Sequence, residues 1–349
     1  MKDPIRVLIV DDSPVVRTVL ASMLGSQPGF VVVGQAQDGL EAVRLTANLR
    51  PDVITMDIRM PRMDGLEATR RIMSSTPTPI VVVASSVYAT DLNIAFSAVE
   101  AGALTVVEKP HGLVAADYEA VSDQLLTSVR LMSDVHVVTL RPRGTTGTTR
   151  VLPEADLDRV DIIAIAASTG GPGVLHEILQ GLPADFPIPI VLVQHITSGF
   201  VPGFVRWLDS VTALQVVSAK EGDRVAPGRV LVAPDDAHLT VTPGGVVSLE
   251  RTEPIKGQRP SATRLFEAVA ASYRNNALGI VLTGMGEDGA DGLEVLRRYG
   301  GHVIAQAEAG CVVFGMPRAA IVRGLAHQVL NPTEIAEVLH AMSGRRYVQ

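Results

Sequence analysis

The sequence has little cysteine and few aromatic residues: Cys311 is its single cysteine among 349 residues, and Phe, Trp and Tyr make up 4%. One cysteine excludes an internal disulfide and is typical of a reducing compartment. No apolar run approaches the length of a membrane span, and the N-terminus reaches charge after five apolar residues, too few for a signal peptide. We therefore expect a soluble, cytoplasmic protein without membrane insertion.

Basic charge is also scarce. Lys and Arg number 30 against 37 Asp and Glu, for a net charge of −7. Nucleic-acid-binding domains carry basic patches, so a DNA-binding function is disfavoured and no nucleic-acid partner is expected. The length allows two domains with a core each, and the 47% apolar content, rich in Val, Ala and Leu, suits buried parallel strands.

Short apolar runs alternate with helical patterns between residues 5 and 130. The runs are IRVLIV, FVVVGQA, DVITMD, IVVVASS and LTVVEKP. This alternation predicts a doubly wound, parallel α/β sheet. The periodicity is lost around RPRGTTGTTR, which is rich in Gly, Thr and Arg. We predict a first domain at 1–132, a flexible linker at 133–157 and a second domain at 158–349.

The second half repeats the alternation with a different insertion. Its apolar runs are DIIAIAAS, PIPIVLVQH, NALGIVLTG and GGHVIAQ. Between them, GDRVAPGRVLVAPDDAHLTVTPGGVVSLER has the Gly/Pro turns typical of antiparallel strands. The second domain is therefore predicted as a mostly parallel α/β sheet with a hairpin insertion.

Polar side chains end four strands of the first domain. Asp11 and Asp12 follow the first strand, Asp57 follows VITM, Ser85 follows IVVVA, and Lys109 follows LTVVE. The carboxyl ends of parallel strands form one crevice, where three carboxylates suit Mg²⁺. The ion and the lysine would stabilise a phosphoryl group passed to Asp57. Taken alone, Asp12 would equally suit a helix N-cap.

These residues resemble those of a response-regulator receiver domain, over about residues 5–125. The resemblance implies a flavodoxin-like fold in which Asp57, within MDIRMPRMDG, is phosphorylated. It further implies that Asp11 and Asp12 bind Mg²⁺ together with Asp57, and that Ser85 and Lys109 form the switch pair. A histidine kinase would be the phosphodonor.

The stretch AIAASTGGPGVL raises a second chemical question at Ser168. It matches neither the dinucleotide pattern nor a P-loop, because no G-x-G-x-x-G and no Gly-Lys-Ser/Thr is present. A serine between a strand end and a helix N-terminus has the surroundings of a nucleophile. The alternative is that Ser168 is only the helix N-cap.

A nucleophilic serine needs a base. His195 is best placed, because it ends the next parallel strand in PIPIVLVQH. His176 lies on the helix after Ser168, His238 lies in the hairpin region, and His302 opens a strand.

The base in turn needs a carboxylate to orient it. ALGIVLTGMGEDGADGLEVL repeats the order strand, Gly-rich turn, helix, and it offers Glu287, Asp288 and Asp291. Spacing alone does not choose among the three, and each would also suit a helix cap.

The second domain closely resembles the catalytic domain of the CheB protein-glutamate methylesterases, over about residues 160–342. The matching motifs are ASTGGP, VQH, VAP followed by a histidine, RPS, LTGMGEDGADG and VVFGMPRAAI. The resemblance implies a Rossmann-like fold with Ser168 as nucleophile, His195 as base and acid, and Asp288 as its partner. The backbone N–H groups of Met285 and Thr169 would be oxyanion donors.

Three departures from these families are visible. Val106 stands where many receivers have an aromatic residue, and Ala167 precedes the serine where glycine is common. Residues 258–263 read QRPSAT where the family often has His-Arg-Pro-Ser-x-Asp. The departures at Ala167 and at residues 258–263 lie beside the core motifs and concern how the substrate fits the site.

The resemblance implies a phosphorylation-regulated esterase of glutamate γ-methyl esters on the cytoplasmic helices of chemoreceptors, with methanol as product. Deamidation of receptor glutamines is implied as a second activity. Mg²⁺ would serve the receiver only, and ester hydrolysis would need no cofactor. The alternative is a catalytically silent receiver protein that acts by binding within a signalling complex.

Overall fold

The computed structural model describes residues 3–85, 89–110, 115–135 and 159–344 of the chain. The chain divides into two compact units, Met1–Gly144 and Thr145–Gln349. Most of the predicted linker at 133–157 lies outside the described residues, so its flexibility and the domain boundaries stay predictions. No helix in the described ranges is long and apolar enough to cross a bilayer.

The first unit is a five-stranded parallel sheet in the order β2-β1-β3-β4-β5. Its strands are β1 Ile5–Val10, β2 Phe30–Ala36, β3 Val53–Met56, β4 Ile80–Ala84 and β5 Thr105–Glu108. The helices between and after them are α1 Pro14–Gly25, α2 Gly39–Leu49, α3 Gly65–Ser75, α4 Ala89–Glu100 and α5 Ala115–Ser133. Strands β3 and β4 are buried throughout, which explains why their apolar runs are continuous rather than alternating.

The second unit contains a seven-stranded parallel sheet in the order β14-β13-β12-β6-β7-β9-β8. The sheet strands are β6 Ile162–Ala167, β7 Ile190–Gln194, β8 Gln215–Ser218, β9 Arg229–Val232, β12 Ala277–Val281, β13 His302–Gln306 and β14 Gln328–Leu330. A separate antiparallel hairpin pairs β10 His238–Val241 with β11 Val247–Glu250. The helices are α6 Gly171–Leu179, α7 Val201–Val211, α8 Ala262–Tyr273, α9 Ala290–Arg298, α10 Met316–Val322 and α11 Pro332–Ala341.

The predicted hairpin region is partly wrong. His238–Val241 and Val247–Glu250 pair antiparallel, and Arg224 forms an isolated antiparallel bridge with Val246, whereas RVLV at Arg229–Val232 joins the main sheet in parallel with β7 and β8. Val230, Leu231 and Val232 are all buried, so this run behaves as an interior parallel strand despite the Gly/Pro turns around it.

Both sheets have a topological switch point beside their first strand. In the first unit β2 lies on one side of β1 and β3 on the other. In the second unit β7 lies on one side of β6 and β12 on the other. Ligand crevices of open α/β sheets form at the carboxyl ends of the strands at such points. The predicted parallel architecture of both domains is therefore confirmed, and it places one crevice in each.

Candidate active site and phosphoacceptor site

Three carboxylates converge at the switch point of the first sheet. Asp11 and Asp12 follow β1, Asp57 follows β3, and one oxygen from each lies within 4.8 Å of the others. The ammonium of Lys109, directly after β5, lies 2.8 Å from Oδ2 of Asp11 and 2.9 Å from Oδ1 of Asp57. The predicted fifth member, Ser85, is half-buried directly after β4.

Helix capping does not account for Asp12. The N-cap of α1 is Ser13, whose hydroxyl accepts a hydrogen bond from the N–H of Val16 at 3.4 Å. Asp12 is exposed beside the buried Asp11 and Asp57, so its side chain stays available to a cation that the other two also face.

Crowding of like charge sets the electrostatics of this cluster. Burial, with the nearby charge of Asp11, raises the pKa of Asp57 to about 6, and the ammonium of Lys109 offsets this only in part. Burial disfavours the charged form of Lys109, but Asp57 and Asp11 outweigh it and raise the pKa of the lysine. Three carboxylates facing one lysine are a donor set with excess negative charge.

Ser168 directly follows β6, at the switch point of the second sheet, and is half-buried. Helix α6 begins at Gly171 with Gly170 as its N-cap and without a side-chain cap, so Ser168 is not the cap. Gly170 has φ of 79°, and a Cβ there would lie 2.4 Å from Cβ of Val312. Glycine is therefore required at the turn that carries the chain away from Ser168.

His195 lies beside Ser168 because each residue directly follows a strand, and the two strands are paired. Ala167 pairs with Gln194 at the ends of β6 and β7, and Ser168 and His195 are the next residues. The N–H of His195 donates to the carbonyl of Ala167 at 2.8 Å. Nε2 of His195 lies 3.0 Å from Oδ2 of Asp288. Nδ1 is then the ring nitrogen that can exchange a proton with the serine.

The three acidic candidates after β12 differ clearly in their contacts. Glu287 and Asp291 contact Lys256 at 2.9 and 2.8 Å on the surface, and within the described part of the chain neither forms a hydrogen bond or ion pair with His195. Asp288 is 6% exposed and faces His195. Of the three residues that spacing left open, Asp288 is the one placed to orient the histidine.

Asp288 is saturated with hydrogen-bond donors. Its Oδ1 accepts from the hydroxyl of Ser261 at 2.9 Å, from the N–H of Thr263 at 3.1 Å and from the N–H of Gly289 at 2.9 Å. Its Oδ2 accepts from the N–H of Ala262 at 2.7 Å. Burial acts to raise the pKa of Asp288, but the hydrogen bond and charge of His195, followed by the hydrogen bonds from Ala262 and Thr263, outweigh burial and hold that pKa well below its usual range.

The predicted oxyanion donors lie on the two turns next to Ser168. A Cβ on Gly284 would lie 2.6 Å from Cβ of Ser168, so the backbone before Met285 passes directly against the serine. The N–H of Ser168 donates to the carbonyl of Thr283 at 3.0 Å, which ties these two segments together. Within the described residues, the N–H groups of Met285 and Thr169 donate to no backbone carbonyl, so both are available to an oxyanion.

Sequence reasoning missed Gln194 as a member of this site. Its side-chain amide donates to the carbonyl of Ser168 at 2.8 Å and to that of His195 at 2.9 Å, so it fixes both strand ends together. A glutamine carries no proton chemistry, and its position before His195 was the only signal. Ser261 was noted as part of RPS, but its contact with Asp288 was not predicted.

The other candidate groups near this sheet are engaged elsewhere. His176 packs edge-on against Trp207 with ring centroids 5.8 Å apart, and His302 stacks on His327 at 4.3 Å. Burial raises the pKa of Cys311 to about 12, so its thiol is neutral near pH 7 and a poor nucleophile.

Two family models match the chain. The CheB methylesterase model matches residues 163–339, and the response regulator receiver domain model matches residues 7–115. The crystal structure of the Thermotoga maritima CheB methylesterase catalytic domain is similar, with 40% identity and a TM-score of 0.51. That match covers 52% of this chain and 98% of that chain.

Known proteins match nearly the whole length. Protein-glutamate methylesterase/protein-glutamine glutaminase 4 of Myxococcus xanthus (strain DK1622) is 44% identical over 97% of this chain and 96% of its own length. Protein-glutamate methylesterase/protein-glutamine glutaminase 1 of Syntrophus aciditrophicus (strain SB) is 45% identical over 97% and 99% respectively.

Proposed function

The chain belongs to the CheB methylesterase family, and on that premise we propose that it is a serine esterase under the control of its receiver domain. Its substrates are glutamate γ-methyl esters on the cytoplasmic helices of chemoreceptors, and it acts in the cytoplasm. The same site deamidates receptor glutamines. We further propose the division into a receiver at 1–132, a linker at 133–157 and a catalytic domain at 158–349.

Acylation begins when Oγ of Ser168 attacks the ester carbonyl carbon while Nδ1 of His195 takes its proton. The N–H groups of Met285 and Thr169 stabilise the oxyanion that forms. The bond to the methoxy group then breaks, and His195 passes its proton to the leaving methanol. Asp288 holds the ring in the tautomer that carries a proton on Nε2, so Nδ1 is free to act as the base.

Deacylation repeats these steps with water. Water attacks the glutamyl ester on Ser168, His195 takes one water proton and returns it to the serine, and the glutamate leaves as a carboxylic acid that then ionises in solvent. The net reaction consumes one water for each methyl ester and yields methanol and a carboxylic acid. With a glutamine substrate, ammonia leaves in place of methanol.

The receiver accepts a phosphoryl group on Asp57 from a histidine kinase. The donor set fits a divalent cation, because oxygens of Asp11, Asp12 and Asp57 lie within 4.8 Å of one another and carry excess negative charge. When bound, Mg²⁺ neutralises that charge and the charge of the incoming phosphoryl group. Lys109, already within 2.9 Å of Asp57, would contact the phosphoryl oxygens.

One observation carries the esterase proposal. Ser168 and His195 end adjacent strands, and an ionised, fully hydrogen-bonded Asp288 faces the histidine at 3.0 Å. A catalytically silent binding protein has no need of an accessible serine beside an oriented histidine, so the esterase is the better explanation.

The test is to incubate the full-length chain, a small phosphodonor and Mg²⁺ with methylated chemoreceptor and to measure methanol. We expect methanol release by the native chain, and none above background by the matched Ser168→Ala variant. Methanol release that survives in Ser168→Ala would overturn the serine mechanism. No release by a correctly folded, Asp57-phosphorylated native chain would favour the binding protein.

A further inference from the structure

The hairpin of β10 and β11 carries a buried histidine that the proposed mechanism does not use. His238 is the first residue of β10, it pairs with Glu250 of β11, and it is 0% exposed. The contacts of this side chain connect it to the loop that supplies hydrogen-bond donors to Asp288.

Both ring nitrogens of His238 are engaged. Nδ1 accepts a hydrogen bond from the N–H of Ser261 at 3.1 Å. Nε2 lies 3.2 Å from the carbonyl oxygen of Glu253, to which it donates. A ring that accepts through one nitrogen and donates through the other is a neutral imidazole with no nitrogen left for proton transfer. His238 is therefore not an alternative base to His195.

Ser261 links this histidine to the catalytic carboxylate. It is the N-cap of α8, it is fully buried, and its hydroxyl donates to Asp288. The next two N–H groups of the helix, those of Ala262 and Thr263, also donate to Asp288. Asp288 thus lies on the N-terminus of α8, where free N–H groups and the helix dipole favour a carboxylate.

The hairpin holds the same helix at two further points. Both oxygens of Glu250 accept from the guanidinium of Arg264, at 2.8 Å each, in the first turn of α8. The hydroxyl of Ser272, near the other end of α8, donates to the carbonyl of Val241 at 2.6 Å. These contacts position α8 as a unit on the hairpin.

We propose that His238 is a positioning residue of the esterase, which fixes Ser261 and the N-terminus of α8 so that their donors point at Asp288. This rests on the proposed function, because it concerns the same site. Without an acceptor at Nδ1, the buried N–H of Ser261 has no partner, and the turn that supplies three donors to Asp288 moves. His195 is then less well oriented toward Ser168.

Two variants of the full-length chain test the contacts of the two ring nitrogens of His238 separately. In His238→Asn, Oδ1 stands in for Nδ1 and can accept from Ser261. In His238→Gln, Nε2 of the amide keeps the donor to Glu253, but no acceptor remains near Ser261. We expect kcat within about threefold of native for His238→Asn and a fall of about 10- to 100-fold for His238→Gln, with KM little changed.

A second readout does not depend on substrate. Carbon-13 NMR of the Asp288 carboxyl gives its titration in each variant, assigned by comparison with Asp288→Asn. We expect its pKa to stay low in His238→Asn and to rise in His238→Gln, where donors are lost. This titration remains informative even if the native chain releases no methanol, so the positioning role and the proposed function fail separately.

Native kcat and native Asp288 titration in His238→Gln would overturn the proposal, as would equal losses in both variants. Fluorescence of Trp207, the single tryptophan, reports whether each variant folds. If His238→Gln does not fold, Glu250→Gln tests the same link through Arg264. We expect a several-fold fall in kcat there, and an unchanged kcat and Asp288 titration would contradict the role of the hairpin.

Discussion

Two aspartates at the two switch points of this chain have opposite electrostatics. Asp57 stands among carboxylates with one lysine, and its pKa is raised to about 6. Asp288 faces His195 and stands among N–H and O–H donors, which together hold its pKa well below the usual range even though burial opposes this. Both residues are buried, so burial alone does not decide the direction.

The difference follows from what each aspartate is proposed to do. A phosphoacceptor must attract a cation and then form a bond, so its site keeps an excess of negative charge that a metal ion can neutralise. A carboxylate that orients a histidine must stay ionised and immobile, so its oxygens are filled with donors. The carboxyl edges of two similar α/β sheets thus support two different chemistries, because different groups surround the aspartate in each.

The largest expected effect comes from removing the nucleophile or the base of the second switch point. Ser168→Ala and His195→Ala should each lower kcat by roughly 10⁴–10⁶, because such residues act as a unit and their losses do not add. Methanol release measures this. Labelling of Asp57 by a small phosphodonor should be unchanged in both variants, which serves as the control. A double variant much slower than either single one would contradict the shared mechanism.

Asp288→Asn should lower kcat less than loss of the nucleophile or the base does, by a factor on the order of 10³–10⁴. The amide Oδ1 can keep the donors of Ser261 and Thr263, but its NH₂ then faces His195. It would donate to Nε2, so the ring proton moves to Nδ1, which can no longer take the proton of Ser168. A loss as large as that of Ser168→Ala, or none at all, would argue against this role for Asp288.

The fold was largely predictable, because both domains consist of parallel strands whose buried runs are continuous in sequence. Strand ends meet at one edge of each sheet, so the placement of Asp11, Asp57, Ser168 and His195 in the two crevices followed from position, while their roles were implied by the family resemblance. The parallel pairing of Arg229–Val232 could not be predicted in this way. The partner of a strand depends on residues far away in the sequence, whereas the Gly/Pro turns that suggested a hairpin are local features.

The surroundings of Asp288 were also beyond prediction from local pattern. Sequence spacing did not distinguish Asp288 from Glu287 or Asp291, since all three lie close together at the start of α9. What distinguishes it is the N-terminus of α8, 26 residues earlier in the chain, with Ser261 and Ala262 as donors. Such a contact is a property of tertiary packing, and only the RPS motif pointed toward it.

Phosphorylation should change activity by a smaller factor, about 5- to 150-fold, the range of typical coupling between sites. A phosphodonor with Mg²⁺ should activate the full-length chain but neither Asp57→Ala nor residues 151–349 expressed alone. We propose that the unphosphorylated receiver inhibits the catalytic domain, so the activity of that fragment should exceed the activity of the unphosphorylated full-length chain. Chelation of Mg²⁺ should abolish labelling of Asp57. If the fragment and the unphosphorylated full-length chain were equally active, the receiver would not inhibit the catalytic domain, and docking to a partner would be its only role.

The smallest expected effect is on stability. Because the pKa of Asp288 is lower in the folded state than the ordinary value of about 3.9, its ionised form stabilises the fold above about pH 4. That contribution is lost as the pH falls through the lower, folded value. Asp288→Asn should therefore cost about 1–3 kcal/mol at pH 7.

Urea unfolding followed by Trp207 fluorescence measures this, because the only tryptophan lies buried in the second unit. The gap between native and Asp288→Asn should shrink between pH 5 and pH 3. A gap that widens on acidification would mean that Asp288 is not held ionised by its donors.

The covalent intermediate is the most direct test of the central claim that Ser168 performs the esterase chemistry under control of Asp57. Methylated receptor is mixed with the full-length chain, the reaction is quenched in acid within milliseconds to seconds, and the digested chain is examined by mass spectrometry. We expect a glutamyl ester on the peptide that contains Ser168, formed faster after phosphodonor treatment of the native chain but not of Asp57→Ala. Methanol release with the adduct on another residue, or with no adduct at any quench time, would contradict the account.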